Sequence, residues 1–207
     1  MKKKPTPDDQ NQGPHKAVVN WRKVPEQDLW RYARSFHTAA KTLAGTLELD
    51  SGPLSEFDVA PVVFMYRHAV ELHLKAMVLG DGGNFLATRP DSISVSKSHS
   101  VSWLAQFVCQ IVTALKWEKE FRCQGIATLA DFKAVVEEVN SVDPGSYVFR
   151  CPVDPQSESS VVEFTKKMDA VIGLLESTGD ALAAEWDLRS EAPPEVNGNG
   201  SGFEPVI

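Results

Sequence analysis

The sequence predicts an all-α fold: an up-and-down bundle of about five helices with a disordered tail at each end. Three observations predict it. Apolar residues recur at three- and four-residue spacing in five separate segments. Helix-start signals stand before several of them. The connections are short or moderate and carry Gly, Pro and Asp turn signals. Hydrophobic residues make up 43% of the chain, enough to build a core under such a bundle.

Residues 1 to 23 are polar and rich in Pro, Lys, Asp and Gln, and read as a mobile tail. The first helix is expected from about Pro25 to Leu49, with Pro25 suited to a first helical position. Its apolar stripe is Ala33, Phe36, His37, Ala40, Leu43, Ala44 and Leu47. Arg31, Arg34, Thr38 and Lys41 lie opposite. The second helix is expected from Pro61 to Gly80, where "GDGG" stops it. The third begins near Ser98 or Ser100 and places Val101, Leu104, Val108, Ile111 and Leu115 on one side.

The fourth helix opens with Thr128 and Asp131 in capping-box spacing and buries Leu129, Phe132, Val136 and Val139. The fifth opens with Ser160 and Glu163 in the same spacing. Its stripe of Phe164, Met168, Val171, Leu175, Leu182 and Trp186 falls within a ~60° arc at ~100° per residue. Between these two helices "SYVFRC" is a short extended piece, either a strand or a loop packed on the bundle. Residues 189 to 207 form the second tail, where alternating Gly198, Gly200 and Gly202 are linker and no dinucleotide fingerprint. The helical domain is therefore expected over residues 24 to 188.

Composition narrows the function classes. The net charge is −7, whereas a free-standing duplex-binding protein must neutralise phosphates and is usually basic. Cys109, Cys123 and Cys151 are odd in number and widely spaced, which points to a reducing cytoplasm. The basic start "MKKKPTPDDQNQGPH" has no apolar run behind it, so it is no signal peptide, and no segment reaches the ~18 apolar residues of a membrane span. No acidic pair, Gly-rich phosphate loop or nucleophile elbow is present, and no cofactor is expected. His68 and His73 are five apart, not the four that place two metal ligands on one helix face, so no metal is expected either.

The second helix is the unusual element. "YRHAVELHLKAMVLG" is apolar on almost every side, yet it carries Arg67, His68, Glu71, His73 and Lys75. With Arg67 at zero on a ~100° wheel, Glu71 falls at ~40°, Lys75 at ~80° and His68 at ~100°. Arg67, Glu71 and Lys75 are successive i,i+4 neighbours of alternating charge. His73 falls at ~240°, beside Tyr66. The ladder reads either as a buried ion-pair row that sets helix register or as a site of desolvated, hydrogen-bonded charges.

Three blocks carry a family resemblance: "FMYRHAVELHLKAMVL", "KSHSVSWLAQFV" and "DPGSYVFRCPVD". Together they resemble the HEPN superfamily of bacterial helical domains. More specifically, they resemble a group whose second helix reads roughly Arg-His-Ala-x-Glu-Leu-x-Leu-Lys, followed by a His-led helix and a Phe-Arg-Tyr-Pro segment. The matches here are Arg67, His68, Ala69, Glu71, Leu72, Leu74 and Lys75, then His99, then Phe149, Arg150 and Pro152. Cys151 stands where that group has Tyr. The resemblance spans residues 27 to 185.

The resemblance implies an up-and-down bundle of a kind that commonly dimerises. It also implies a setting in toxin–antitoxin, abortive-infection or RNA-processing systems. Many members are metal-independent ribonucleases, in which a His acts on the ribose 2′-hydroxyl and an Arg four to six residues earlier steadies the phosphate. Other members only bind. Arg67 and His73 have the spacing literally, as do Arg31 and His37, but each pair diverges by ~120° on the wheel. The catalytic pair usually sits on a later helix, and no histidine follows His99.

The expectation is thus a cytoplasmic, homodimeric interaction module that binds RNA, a nucleotide or a cognate protein. Its cluster is Arg67, His68, Glu71, Lys75, His99 and Arg150, with Arg150 placed either to pair with Glu71 or to meet a phosphate. The alternative is an endoribonuclease that uses Arg67 and His73 across a dimer.

Overall fold

A computed structural model describes residues 28 to 49, 55 to 142 and 161 to 191. It is an all-α helical bundle: α1 (Leu29–Leu49), α2 (Glu56–Leu79), α3 (Ser92–Lys97), α4 (Val101–Leu115), α5 (Leu129–Val142) and α6 (Val161–Glu191). A 3-10 turn, Asp81–Phe85, follows α2. No strand occurs among the described residues. A single β-bridge between Cys123 and Ile126 closes the turn that holds Gly125 at φ 85°.

All five expected helices stand where their periodicity placed them, with changes at their ends, and α3 is an addition. The second helix starts earlier than Pro61. Its N-cap is Ser55, and the Asp58 carboxylate accepts from the Ser55 backbone N–H at 2.9 Å and from its hydroxyl at 2.6 Å. Pro61 lies inside the helix on its exposed side. A proline this close to the start removes only one backbone bond, which the strong cap and the buried turns after it outweigh. The six-residue α3 has too little periodicity to announce itself. It is started by Asp91, whose carboxylate accepts from the Ser94 N–H at 2.8 Å.

α4 begins after Ser100, whose hydroxyl accepts from the Trp103 N–H. At α5 the expected capping box forms, with Asp131 accepting from the Thr128 N–H at 2.8 Å and Thr128 Oγ1 from the Asp131 N–H at 3.2 Å. α6 runs to Glu191, past the expected end at 188, and there Arg189 pairs with Glu185 one turn back at 2.7 Å. Pro25, Ser160, "SYVFRC" and the two tails other than residues 189 to 191 lie outside the described residues.

α2 is the central element. It packs against α1, α4, α6, α3 and the 3-10 turn, while α5 packs on α4. From Tyr66 to Leu79 nearly every side chain is buried, which explains the lack of a polar face. The core around it is Leu74, Met77, Leu104, Ile111, Phe132, Met168, Ile172, Leu175 and Leu182. Each such side chain contributes about 1.5–3 kcal/mol on leaving water. Trp186, expected in the α6 stripe, is 38% exposed and meets Phe85 edge-on at 6.0 Å.

"GDGG" ends α2 by close approach. A Cβ on Gly82 would lie 2.5 Å from the Met77 carbonyl oxygen, and one on Gly83 would lie 2.4 Å from that of Val78. Only glycine lets the turn fold against these last carbonyls, and the Arg89 guanidinium donates to a third, that of Leu79.

Candidate functional site

The i,i+4 spacing of Arg67, Glu71 and Lys75 becomes a connected ladder inside the protein. Arg67 Nη1 donates to Glu71 Oε2 at 3.1 Å and Lys75 Nζ donates to Glu71 Oε1 at 2.8 Å. Arg67 and Glu71 are each 1% exposed, and Lys75 is also buried. Both cations reach beyond the carboxylate. Arg67 Nη2 donates to the His99 carbonyl at 2.6 Å, and Lys75 Nζ donates to the Ser96 carbonyl at 2.9 Å. The ladder therefore ties the end of α3 and the start of α4 down onto α2.

His99 joins through its ring, with Nδ1 3.1 Å from Glu71 Oε1, and its side chain keeps 45% of its exposure. His68 sits between Phe36 and Phe64, with ring centroids 4.4 and 5.9 Å away. Burial by itself would raise the Glu71 carboxyl above its ordinary range. The Lys75 charge and hydrogen bond, with the His68 and His99 rings, hold it below that range instead. Five of the six cluster residues predicted from sequence thus lie in one neighbourhood around Glu71. The sixth, Arg150, lies outside the described residues.

His73 stands apart from the ladder. Its ring is 0% exposed, with Nδ1 2.7 Å from the Ala69 carbonyl oxygen and Nε2 3.3 Å from Glu176 Oε1 of α6. Trp30 of α1 meets it edge-on at 5.6 Å. Within one chain the fold does not bring Arg67 and His73 to a common point, in keeping with their ~120° divergence on the wheel. Arg31 and His37 also separate. Arg31 makes an exposed contact with Asp28, and His37 Nε2 lies 2.7 Å from Asp169 Oδ1 of α6.

Those contacts belong to a second polar cluster that was not expected. α6 presents Asp169 and Glu176, two turns apart, to α1 and α2. Tyr66 donates to Asp169 Oδ1 at 3.2 Å, Lys41 stands 3.7 Å from its other oxygen, and Arg34 Nε donates to Glu176 Oε1 at 3.2 Å. The one sequence signal was His37 inside the apolar stripe of α1. Its partner is 132 residues away.

Among the described residues no three His, Cys, Asp or Glu side chains are arranged to hold a metal ion. No described helix is long and apolar enough to cross a membrane. No family model, no curated protein and no solved structure matches the chain.

Proposed function

We propose that the protein is a HEPN-like helical interaction module that acts by binding and does not cleave RNA. On this reading it is a homodimer in a bacterial stress or defence system of the toxin–antitoxin or abortive-infection kind. Its partner is a cognate protein, a nucleotide or RNA, bound where the ladder fixes residues 96 to 99 and the half-exposed His99 on the surface.

One observation carries the reading. Arg67, the residue that would steady a phosphate, has its guanidinium on Glu71 and the His99 carbonyl with 1% exposure, while His73 faces Glu176 across the helix. A group already bonded to an internal carboxylate is poorly placed to bind developing charge on a substrate. The net charge of −7 favours a protein surface over an extended RNA backbone.

The test is an RNA-cleavage assay in EDTA with end-group analysis on wild type, Arg67→Lys and His73→Asn. No 2′,3′-cyclic phosphate ends are expected from any of them. Cyclic ends that vanish in both variants would establish instead the ribonuclease acting across a dimer, which the Arg67–His73 spacing allows. Light scattering on the same samples reports the dimer.

A further inference from the structure

The contact between α2 and α6 at His73 has an unusual proton balance. His73 Nδ1 lies 2.7 Å from the Ala69 carbonyl oxygen, which can only accept. Nδ1 therefore carries the proton of the neutral ring. Nε2 is then a lone pair, and it faces Glu176 Oε1 at 3.3 Å, a second acceptor. A hydrogen bond forms there only when a second proton arrives. That proton would create an imidazolium in a closed site, with the Trp30 ring against it and no water-exposed edge. The oxygen it needs already accepts from Arg34 Nε at 3.2 Å. The carboxylate that would balance a buried imidazolium is therefore already paired with a cation of α1.

We propose that His73 makes the docking of α6 on α1 and α2 acid-sensitive: proton uptake at Nε2 releases this seam, and proton loss restores it. The charged and titratable groups around it come from all three helices. α1 contributes Arg34, His37 and Lys41, α2 contributes Tyr66, and α6 contributes Asp169, Glu176 and Asp180, the last 3.7 Å from Arg34. Burial pushes the His73 ring below its ordinary value against the hydrogen bonds to Ala69 and Glu176, the direction this reading requires. A state with α6 lifted rehydrates the ring and binds the proton more tightly, so acid favours it.

The test is hydrogen exchange on the full chain at pH 7.5 and 5.0, corrected for intrinsic exchange rates. Amides of α6 around Ile172 to Asp180 are expected to lose at least tenfold protection at the lower pH, while those of α4 hold theirs. His73→Phe keeps a ring and His73→Asn keeps a donor for Ala69, and both are expected to remove the acid response. His37→Gln is expected to retain it. Equal protection of α6 at both pH values in wild type overturns the proposal. So does a response that survives in the His73 variants or disappears in His37→Gln. Should the His73 variants not fold, long-range ¹H–¹⁵N spectra of wild type decide. Nδ1–H alone at pH 7.5, then a second proton gained in step with the loss of protection, supports the switch. An Nε2–H tautomer, or no second proton before global unfolding, refutes it.

Discussion

The two faces of α2 solve the same problem in opposite ways. Both bury ionisable groups against neighbouring helices. On the ladder face a central carboxylate, Glu71, is flanked by cations of its own helix, and the spare donors of those cations go to backbone carbonyls at 2.6 and 2.9 Å. On the seam face the histidines, His73 buried and His37 partly so, are the less exposed partners, and the carboxylates come from α6 and keep more of their exposure. The ion pairs of the ladder are complete once α2 has formed, and only its carbonyl bonds wait for α3 and the start of α4. The seam exists only when three helices have met. A charge set that one helix supplies to itself keeps its partners when neighbours move, whereas one shared among helices responds to their positions.

The largest effect should come from breaking the ladder at its centre. Glu71→Leu leaves Arg67 and Lys75 buried without a counter-charge and is expected to destabilise by about 3–5 kcal/mol, read by urea denaturation. Replacing all three charges together, Arg67→Met, Glu71→Leu and Lys75→Met, should bring stability back to the wild-type level or above it. A triple variant as unstable as the single one would show that the ladder does more than neutralise itself. Because the Glu71 carboxyl is held below its ordinary value of 4.5, its contribution is present above that pH and lost as pH falls further. His73 has the same sign at a higher pH. Its contribution is complete above about 6.5 and declines as pH drops. Acid titration should therefore disturb the seam before the ladder.

The next effect probes the seam by size. A Cβ on Gly179 would lie 2.4 Å from the Trp30 ring, so Gly179→Ala should cost about 1–3 kcal/mol through overpacking, measured by thermal unfolding. A smaller loss, about 1 kcal/mol, is expected from Ser100→Ala, which removes the α4 cap next to the Ser96 and His99 carbonyls that the ladder holds. The smallest change has the opposite sign. Gly173 lies between Asp169 and Glu176 on α6, and an added Cβ meets nothing within 4 Å. Gly173→Ala should stabilise by about 0.4–1 kcal/mol through helix propensity and a restricted unfolded chain. A loss there would mean that the seam needs that space.

Much of the ladder was legible because its rule is local. Spacing of four residues puts Arg67, Glu71 and Lys75 in reach of one another in any α-helix. Which neighbours would bury them was not legible. The Ser96 and His99 carbonyls arrive through α3, an element of six residues that is too short for periodicity to reveal. Pro61 misled in the other direction. Its preference for a first turn is real, but the Ser55–Asp58 cap set the start of α2 more than one turn earlier, at Glu56.

By itself the sequence determined the five longer helices and the helix starts at Ser100 and Thr128. Apolar period and cap chemistry act over a few residues, and each segment carries its own instructions. It also determined the ladder, as a row of i,i+4 charges. Only the tertiary structure decided that α2 is enclosed on nearly every side from Tyr66 to Leu79 and that the partner His73 faces is Glu176. It alone decided that His37 and Tyr66 share Asp169. Those pairings join residues more than a hundred positions apart. No local rule links such positions. They are set by which helix faces lose the most apolar surface together, and the polar groups take the partners that packing leaves them.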